Sequence, residues 1–199
     1  MSETTDSLFL RLSEDNPSPT HVQRLLRQIP YNTEDEGESV RSALMAWHAQ
    51  KAHCLEAAFI AAAILERQGY PPLILSLESQ DNIDHVLFIF KSTNGWGAIG
   101  KSREEGLHGR APIYRSVLHL AWSYVDPYVD DTGRVTGYAI ANLDDTRSRW
   151  RDSNHNVWKA EEYLIDLPHK KLRTSEYRYQ RELARFFSIG QKPWQPSWW

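Results

Sequence analysis

The chain has 199 residues and a formal net charge of −3, and its acidic and basic side chains are mixed along the sequence. This balance lacks the basic excess that attracts nucleic acid or an anionic membrane surface, so we expect neither as a partner. One cysteine cannot form an internal disulfide bond, and no apolar run reaches the length of a membrane span. The N-terminus MSETTDSL is polar and acidic rather than signal-like, and we predict a cytoplasmic protein.

The N-terminal part of the chain predicts one short apolar segment and two helices. Residues 8–12 contain Leu and Phe and are expected to form an edge strand or a docking arm. A helix is expected to begin near Ser18 and to end before Pro30, because apolar residues recur at helical spacing between them. A second amphipathic helix is expected over about 39–50, with Trp47 on its apolar side.

The central part begins with a strongly apolar helix. From Leu55 to Leu65 nearly every residue is Ala, Leu, Phe or Ile, which indicates a helix buried on all sides. Gly69 suits the left-handed residue after a helix, and the prolines that follow prevent continuation, so the helix is expected to begin at Cys54. The first N–H groups of a helix lack partners and carry the positive end of its dipole. We therefore expect a thiolate at Cys54 to be stabilised and the thiol pKa to be lowered.

A strand over about 73–77 and a β-hairpin are predicted next. The hairpin pairs residues 84–90 with 96–100 across an Asn-Gly turn. Because side chains alternate along a strand, His85 should share a face with Leu87 and Ile89. A cysteine at the start of a buried helix, followed by a histidine on an adjoining antiparallel strand, is typical of a papain-type nucleophile and base.

The C-terminal part continues as a mixture of helices and one strand. Apolar spacing predicts a helix over 117–128 that breaks near Pro127, and a strand over about 133–142. Two more helical patterns cover about 160–167 and 177–187. We expect a single domain over residues 1–199, with a core over about 20–130 and a helical C-terminal extension over about 145–199.

Four runs of this sequence resemble a known superfamily. The runs AHCLEAA, RQGYPPLIL, DHVLFIF and WGAIGKS are together similar to the core of the transglutaminase-like superfamily, and most of all to a group of small bacterial proteins within it. The likeness covers roughly residues 29–102 and extends toward Tyr128. It implies an α+β fold of papain/transglutaminase type, in which a central buried helix starting at Cys54 packs on an antiparallel sheet carrying His85. It also implies that Cys54 is the nucleophile and His85 the base.

One position departs from that family pattern. Transglutaminase-like enzymes usually carry an Asp four residues after a Trp on the strand that follows the histidine, whereas Gly100 stands four residues after Trp96 here. The third residue holds the imidazole in one tautomer, and its removal from a serine protease costs about 10⁴ in rate. Ser102, on the same strand face, or a backbone carbonyl could orient His85 instead. The sequence is compatible with a slow or specialised Cys-His dyad and with a scaffold that has lost its chemistry.

The residues leave three functions open. As an enzyme, the chain would attack an amide or thioester carbonyl of a peptide or small substrate, and the acyl-enzyme would pass to water or to an amine. Trp47, Trp96 and Lys101 are then candidate substrate-binding residues. As a catalytically inactive binding or accessory module, the chain could contact a protein partner through its C-terminal QKPWQPSWW.

The third and weakest possibility is a nucleotide-binding loop. Residues 95–102 satisfy the phosphate-loop pattern GxxxxGKS, but such a loop needs a buried strand directly before it and a sustained helix after it, and the sequence predicts neither. His53, His85 and His108 have no spacing typical of a metal site. We therefore predict that the protein uses no metal and no cofactor.

Overall fold

A computed structural model describes residues 5–190 and 192, and these residues form seven α-helices, three short 3₁₀ helices and one six-stranded sheet. The helices are α1 (Thr5–Glu14), α2 (Pro19–Gln28), α3 (Ala43–Ala49), α4 (Cys54–Leu65), α5 (Val117–Tyr128), α6 (Trp158–Ile165) and α7 (Glu176–Ile189). The strands are β1 (Leu73–Ser79), β2 (His85–Ser92), β3 (Gly95–Ile99), β4 (Arg110–Tyr114), β5 (Val135–Asn142) and β6 (Lys170–Lys171). All neighbouring strands are antiparallel, in the order β4-β3-β2-β1-β5-β6. The expected α+β class with an antiparallel sheet is confirmed.

Helices cover both faces of this sheet and create two hydrophobic clusters. On one face, α4 packs with Val86 and Phe88 of β2. On the other face, α5 packs with Leu87 and Ile89 of the same strand. Successive residues of a strand point to opposite faces, so a strand that is covered on both sides is apolar throughout. His85 lies on the α5 face with Leu87 and Ile89, as the alternation predicts, because it pairs with Leu77 of β1 in the same register.

Helix α4 begins and ends where its sequence predicts. Every residue after Cys54 in this helix is buried. His53 is the N-cap residue and forms a capping box with Glu56, which satisfies N–H groups that the helix itself leaves without partners. A 3₁₀ turn extends α4, and Gly69, at a φ of 82°, then ends the segment in the left-handed region.

Three expectations for other elements are wrong, each for a local physical reason. Residues 8–12 belong to helix α1 and not to a strand. The helix expected over 39–50 begins only at Ala43, because the Ser42 hydroxyl accepts the N–H of Met45 as an N-cap. Helix α5 continues through Pro127 to Tyr128 rather than breaking there.

Pro127 is tolerated because another side chain replaces the donor that proline lacks. In a regular helix the N–H of residue 127 would donate to the carbonyl of Ser123, four residues earlier. Here the guanidinium of Arg110 donates to that carbonyl at 3.3 Å. The helix therefore extends to Tyr128 through a contact with a residue of β4, which helical periodicity alone does not reveal.

The tryptophan-rich tail falls outside the described part of the chain. The expectation that QKPWQPSWW contacts a partner rests on Trp194, Trp198 and Trp199, which are not among the described residues.

Candidate active site

Cys54 is the first residue of α4 and lies partly exposed at a cavity of about 520 Å³. The cavity walls come from the loop 31–38, the connection 82–84 between β1 and β2, and helix α6. His53 also lines this cavity. The thiol is thus accessible to a small molecule or an extended peptide segment, and it stands where the N-terminal end of a buried helix stabilises negative charge.

The structure brings His85 to this thiol. His85 is the first residue of β2, and the Cys54 Sγ atom lies 3.9 Å from the carbonyl oxygen of the preceding residue, Asp84. The imidazole of His85 is buried beside the ring of Tyr124, at 6.2 Å between ring centres. Its Nε2 atom lies 2.8 Å from the carbonyl oxygen of Leu107. Because a carbonyl can only accept, Nε2 carries the proton of the neutral ring, and the lone pair is then on Nδ1.

The surroundings of Cys54 favour the thiolate. Burial raises the pKa of the thiol, but hydrogen bonds with the rings of His53 and His85 outweigh burial and lower this pKa to about 5. A cysteine with this pKa is mostly ionised at neutral pH, which is the state that attacks carbonyl carbon.

His53 is a second imidazole at the thiol, and the sequence did not predict it as a residue of this site. Its Nδ1 atom accepts the backbone N–H of Leu55 at 3.2 Å, and its Nε2 atom lies 2.9 Å from the carbonyl oxygen of Ser39. Burial lowers the pKa of His53, but Cys54 and then Glu56 raise it, to about 9. The sequence signal that could have identified His53 is its position at the helix start, three residues before a glutamate.

Glu56 holds this end of the helix in place from a fully buried position. Its carboxylate accepts the Asn32 side-chain amide at 3.2 Å, the Ser39 hydroxyl at 3.3 Å, and the backbone N–H groups of Arg41 and His53 at 3.0 and 3.1 Å. A buried carboxylate is tolerated only when such donors replace water. The loop 31–41, which forms one cavity wall, is thereby tied to the helix that carries the thiol.

Gly100 stands where the family that the sequence resembles usually has an aspartate, and the structure leaves no room for a side chain there. A side chain at Gly100 would overlap with Cδ2 of Leu87, so an aspartate cannot be accommodated there without displacing the core. The backbone of Gly100 is held instead by two hydrogen bonds of 2.9 Å with the side-chain amide of Gln23. The backbone carbonyl of Leu107 accepts the hydrogen bond of His85 Nε2.

The loop that carries the Leu107 carbonyl is fixed by Arg110, a fully buried residue. Its guanidinium donates to the carbonyls of Gly106 at 2.7 Å, His108 at 2.6 Å and Gly109 at 3.1 Å, and it lies 3.9 Å from the ring centre of Tyr124. The backbone on both sides of Leu107 is therefore anchored to one side chain.

The other residues expected at the site lie elsewhere. The Ser102 hydroxyl accepts the N–H of Glu104 at 3.1 Å, so it stabilises a turn, and the partner of His85 is Leu107 instead. Lys101 is buried and donates to the carbonyls of Leu26 and Ile29 at the end of α2. Burial lowers the pKa of Lys101 to about 8.

Neither tryptophan expected in substrate binding lines the cavity either. Trp47 packs against Phe9 of α1, with ring centres 5.5 Å apart. Trp96 packs at the edge of the cluster under α5, with the ammonium group of Lys91 5.9 Å from the ring centre. Both tryptophans therefore lie outside the cavity that holds the thiol.

The segment that resembles a phosphate loop has a different geometry. Its first glycine, Gly95, begins strand β3, and the strand continues to Ile99. The next helical element is a 3₁₀ turn over Glu105–Leu107, and the lysine of the pattern caps α2 as described above. A helix N-terminus that could cradle phosphate does not follow this glycine-rich segment.

Comparison with models of known protein families and with curated proteins gives no match to this chain. Within residues 5–190 and 192, no helix combines the length and the apolar character that crossing a membrane requires. The same residues contain no group of three or more His, Cys, Asp or Glu side chains that could hold a metal ion. Functional assignment therefore depends on the chemistry of the site itself.

Proposed function

We propose that this protein is a transglutaminase-like cysteine enzyme that acts on an amide or thioester carbonyl, with Cys54 as the nucleophile and His85 as the base. The observation that carries the proposal is the position of the thiol at the start of α4, where it is open to a cavity of about 520 Å³ and lies 3.9 Å from the carbonyl oxygen of Asp84, the residue before His85. The His85 ring also lowers the pKa of this thiol. The resemblance of the sequence to the transglutaminase-like core supports the same assignment.

The reaction would proceed in two steps that conserve protons. The Cys54 thiolate attacks the carbonyl carbon, the bond to the leaving amine or thiol breaks, and an imidazolium at the site donates its proton to the leaving group. Water or an amine then attacks the resulting thioester, an imidazole takes the proton of this nucleophile, and the Cys54 sulfur leaves as thiolate. The two outcomes, hydrolysis and acyl transfer, differ only in the second nucleophile.

Two donors are available to the oxyanion that forms in each step. The backbone N–H of Cys54 belongs to the first turn of α4 and has no partner within the helix. Tyr31 lines the cavity beside the backbone of Cys54. Burial raises the pKa of the Tyr31 hydroxyl, so this group keeps its proton and can donate it in a hydrogen bond. Donors aimed at developing negative charge are a main source of rate enhancement.

The charge of the cavity favours a substrate with a positive group. Glu34, Glu38, Asp84 and Glu161 line it, against the single arginine Arg103. Burial raises the pKa of Glu161. The nearby His53 ring lowers this pKa, and the carboxylates of Glu34 and Glu38 raise it. A cationic side chain or an amine in the cavity would offset this repulsion, which points to lysine-containing or arginine-containing acyl donors or to amine acceptors.

Acyl-enzyme trapping tests the proposal directly. The protein is mixed with two peptide thioesters that differ only in having Lys or Glu as the acyl residue, and the intact mass is recorded. We expect an acyl adduct on Cys54 that forms faster with the Lys thioester, is absent in Cys54→Ser, and forms at least tenfold more slowly in His85→Asn. A chain that forms no adduct, and whose thiol reacts with iodoacetamide only at alkaline pH, would refute the assignment.

The second candidate, a catalytically inactive binding or accessory module, is favoured by one observation. The third partner of the site is the neutral carbonyl of Leu107 and not a carboxylate, and a neutral group stabilises an imidazolium less. A module would bind cationic peptides in the cavity without covalent capture, and Cys54→Ser would then bind them as well as the unchanged chain.

A further inference from the structure

His53 differs from His85 in its access to the cavity. His53 lines the cavity together with Cys54, whereas the His85 ring is buried on the α5 face of the sheet and is not part of the lining. His53 is the N-cap of the helix that begins with Cys54, so the two side chains are held at the same helix end. The thiol thus has one imidazole beside it in the cavity and another behind it.

The contacts of the His53 ring determine which nitrogen can exchange a proton with the sulfur. Nε2 lies 2.9 Å from the carbonyl oxygen of Ser39 and 3.7 Å from Oε1 of Glu56, and both partners can only accept. Nε2 therefore keeps its proton in either charge state. Nδ1 is left to titrate, and in the neutral ring it accepts the N–H of Leu55.

The Glu56 carboxylate favours the cationic form of the His53 ring. Glu56 is fully buried and lies on the Nε2 side of the His53 ring, whereas Nε2 of His85 meets the uncharged carbonyl of Leu107. A carboxylate in this place stabilises an imidazolium, as the aspartate of a catalytic triad does. Protonation of Nδ1 costs the capping bond to Leu55, which is worth about 0.5–2 kcal/mol at an N-cap.

The other charged groups around the thiol and His53 add to this preference. Glu34 and Glu38 from the loop before α3, Glu161 from α6 and Asp84 from the connection to β2 all line the same cavity. They favour an imidazolium and disfavour an isolated thiolate. The single arginine there, Arg103 after β3, acts in the opposite sense, and Tyr31 and His85 complete the titratable groups at the thiol. Among so many carboxylates, a thiolate paired with a cation is favoured over a thiolate alone.

We propose that His53 is the resting proton partner of Cys54, so that the proton leaves Sγ for Nδ1 of His53 and a thiolate–imidazolium pair stands at the start of α4. In this state His85 lies behind the thiolate, and its Nε2–H stays on the carbonyl of Leu107. This inference rests on the proposed cysteine chemistry, and it replaces His85 by His53 as the group that takes the thiol proton in the resting protein. The direction of the pKa changes agrees with it, since the pKa of Cys54 is lowered and that of His53 is raised.

Thiolate absorbance at 240 nm, measured as a function of pH, separates the two histidines. The variants are His53→Asn and, as a matched control, His85→Asn. Asparagine is a strong N-cap residue, so the first variant keeps an acceptor for the helix while it removes the charge. We expect half-titration near pH 5 in the unchanged protein and 2 or more pH units higher in His53→Asn. At pH 6 this shift lowers the thiolate fraction from about nine tenths to about one tenth or less.

A second measurement needs no change to His53. In protein labelled with ¹⁵N-histidine, the His53 ring nitrogens should have the chemical shifts of an imidazolium at pH 7, and those of a neutral ring in Cys54→Ser. A neutral His53 ring at pH 7 in the unchanged protein overturns the inference, whether or not His53→Asn folds.

The possible results distinguish this inference from the proposed function. If His53→Asn keeps a half-titration near pH 5 while His85→Asn raises it, the inference is wrong and the Cys54–His85 assignment stands. If the unchanged thiol titrates near the ordinary value of about 8.5, the activated nucleophile itself is absent, and both the inference and the proposed function fail.

Discussion

Replacement of Arg110 by methionine tests whether a backbone carbonyl serves as the third member of the site. The guanidinium donates to the carbonyls of Gly106, Gly109 and Ser123, and methionine removes all three donors from a fully buried position. The carbonyl of His108 would keep one partner, the Tyr124 hydroxyl at 3.1 Å.

The magnitude follows from counting the acceptors that lose a donor. A buried polar group without a partner costs about 1–3 kcal/mol, which for three carbonyls gives about 3–9 kcal/mol. Removal of the buried cation offsets part of this loss of stability, because the desolvation penalty of the guanidinium disappears. We expect Arg110→Met to lower the free energy of unfolding by about 3–5 kcal/mol, a large part of the margin of 5–15 kcal/mol of most domains.

The assay combines urea unfolding, followed by circular dichroism, with iodoacetamide alkylation in the folded baseline. Because the loop that carries the Leu107 carbonyl is anchored by Arg110, alkylation of Cys54 at pH 6 should slow together with the loss of stability. Arg110→Lys is the control, because it keeps the positive charge but loses the planar guanidinium group. Its free energy of unfolding and its alkylation rate should lie between those of the unchanged protein and Arg110→Met. If Arg110→Met lowers the free energy of unfolding by less than about 1 kcal/mol and leaves the alkylation rate of Cys54 unchanged, the reasoning is refuted.

Three further predictions concern the glycine at the expected aspartate position and two buried glutamates. Gly100→Asp should lower the free energy of unfolding by about 1–3 kcal/mol or more in thermal melts, because its side chain overlaps with Leu87, and it should not speed alkylation of Cys54; faster alkylation would show that the carboxylate reaches His85. Glu56→Gln should cost about 2 kcal/mol or more in urea unfolding, since a neutral amide replaces a carboxylate that accepts four hydrogen bonds, and an unchanged midpoint would contradict this. Burial raises the pKa of Glu182, but three cationic neighbours outweigh it and lower the pKa to about 2. The pKa is depressed in the folded state, so its stabilisation is complete above about pH 4.5 and is lost as the pH falls toward 2; the stability difference from Glu182→Gln should shrink over that range and stay constant above it.

Much of the fold follows from patterns within short segments of the sequence. Some of the elements that were not predicted, or were predicted with other bounds, depend on contacts between distant segments. Strand β4 and the two-residue strand β6 carry no apolar alternation, and they form because they pair with the edges of β3 and β5. Helix α5 passes through Pro127 because a distant arginine supplies the missing donor. Both features depend on partners far along the chain, which periodicity within a short window does not contain.

The site divides in the same way. The positions of Cys54 at a helix start and of His85 on a strand face follow from the residues, but those of Lys101 and Ser102 do not. Lys101 is predicted as a substrate-binding residue, and it instead donates to carbonyls at the end of α2. Carbonyls at the end of a helix have no partner within the helix, and a long polar side chain can donate to them. Which side chain reaches them depends on how distant segments pack together.

The sequence by itself determined the class of fold, the buried helix and the residue at its start, because apolar spacing and capping residues act within a few positions of each other. Only the tertiary structure decided what surrounds the thiol: the cavity wall of carboxylates, the carbonyl of Leu107 behind His85, and Glu56 beside His53. These contacts join segments distant along the chain, and they form because buried polar groups must find partners once the two hydrophobic clusters have excluded water.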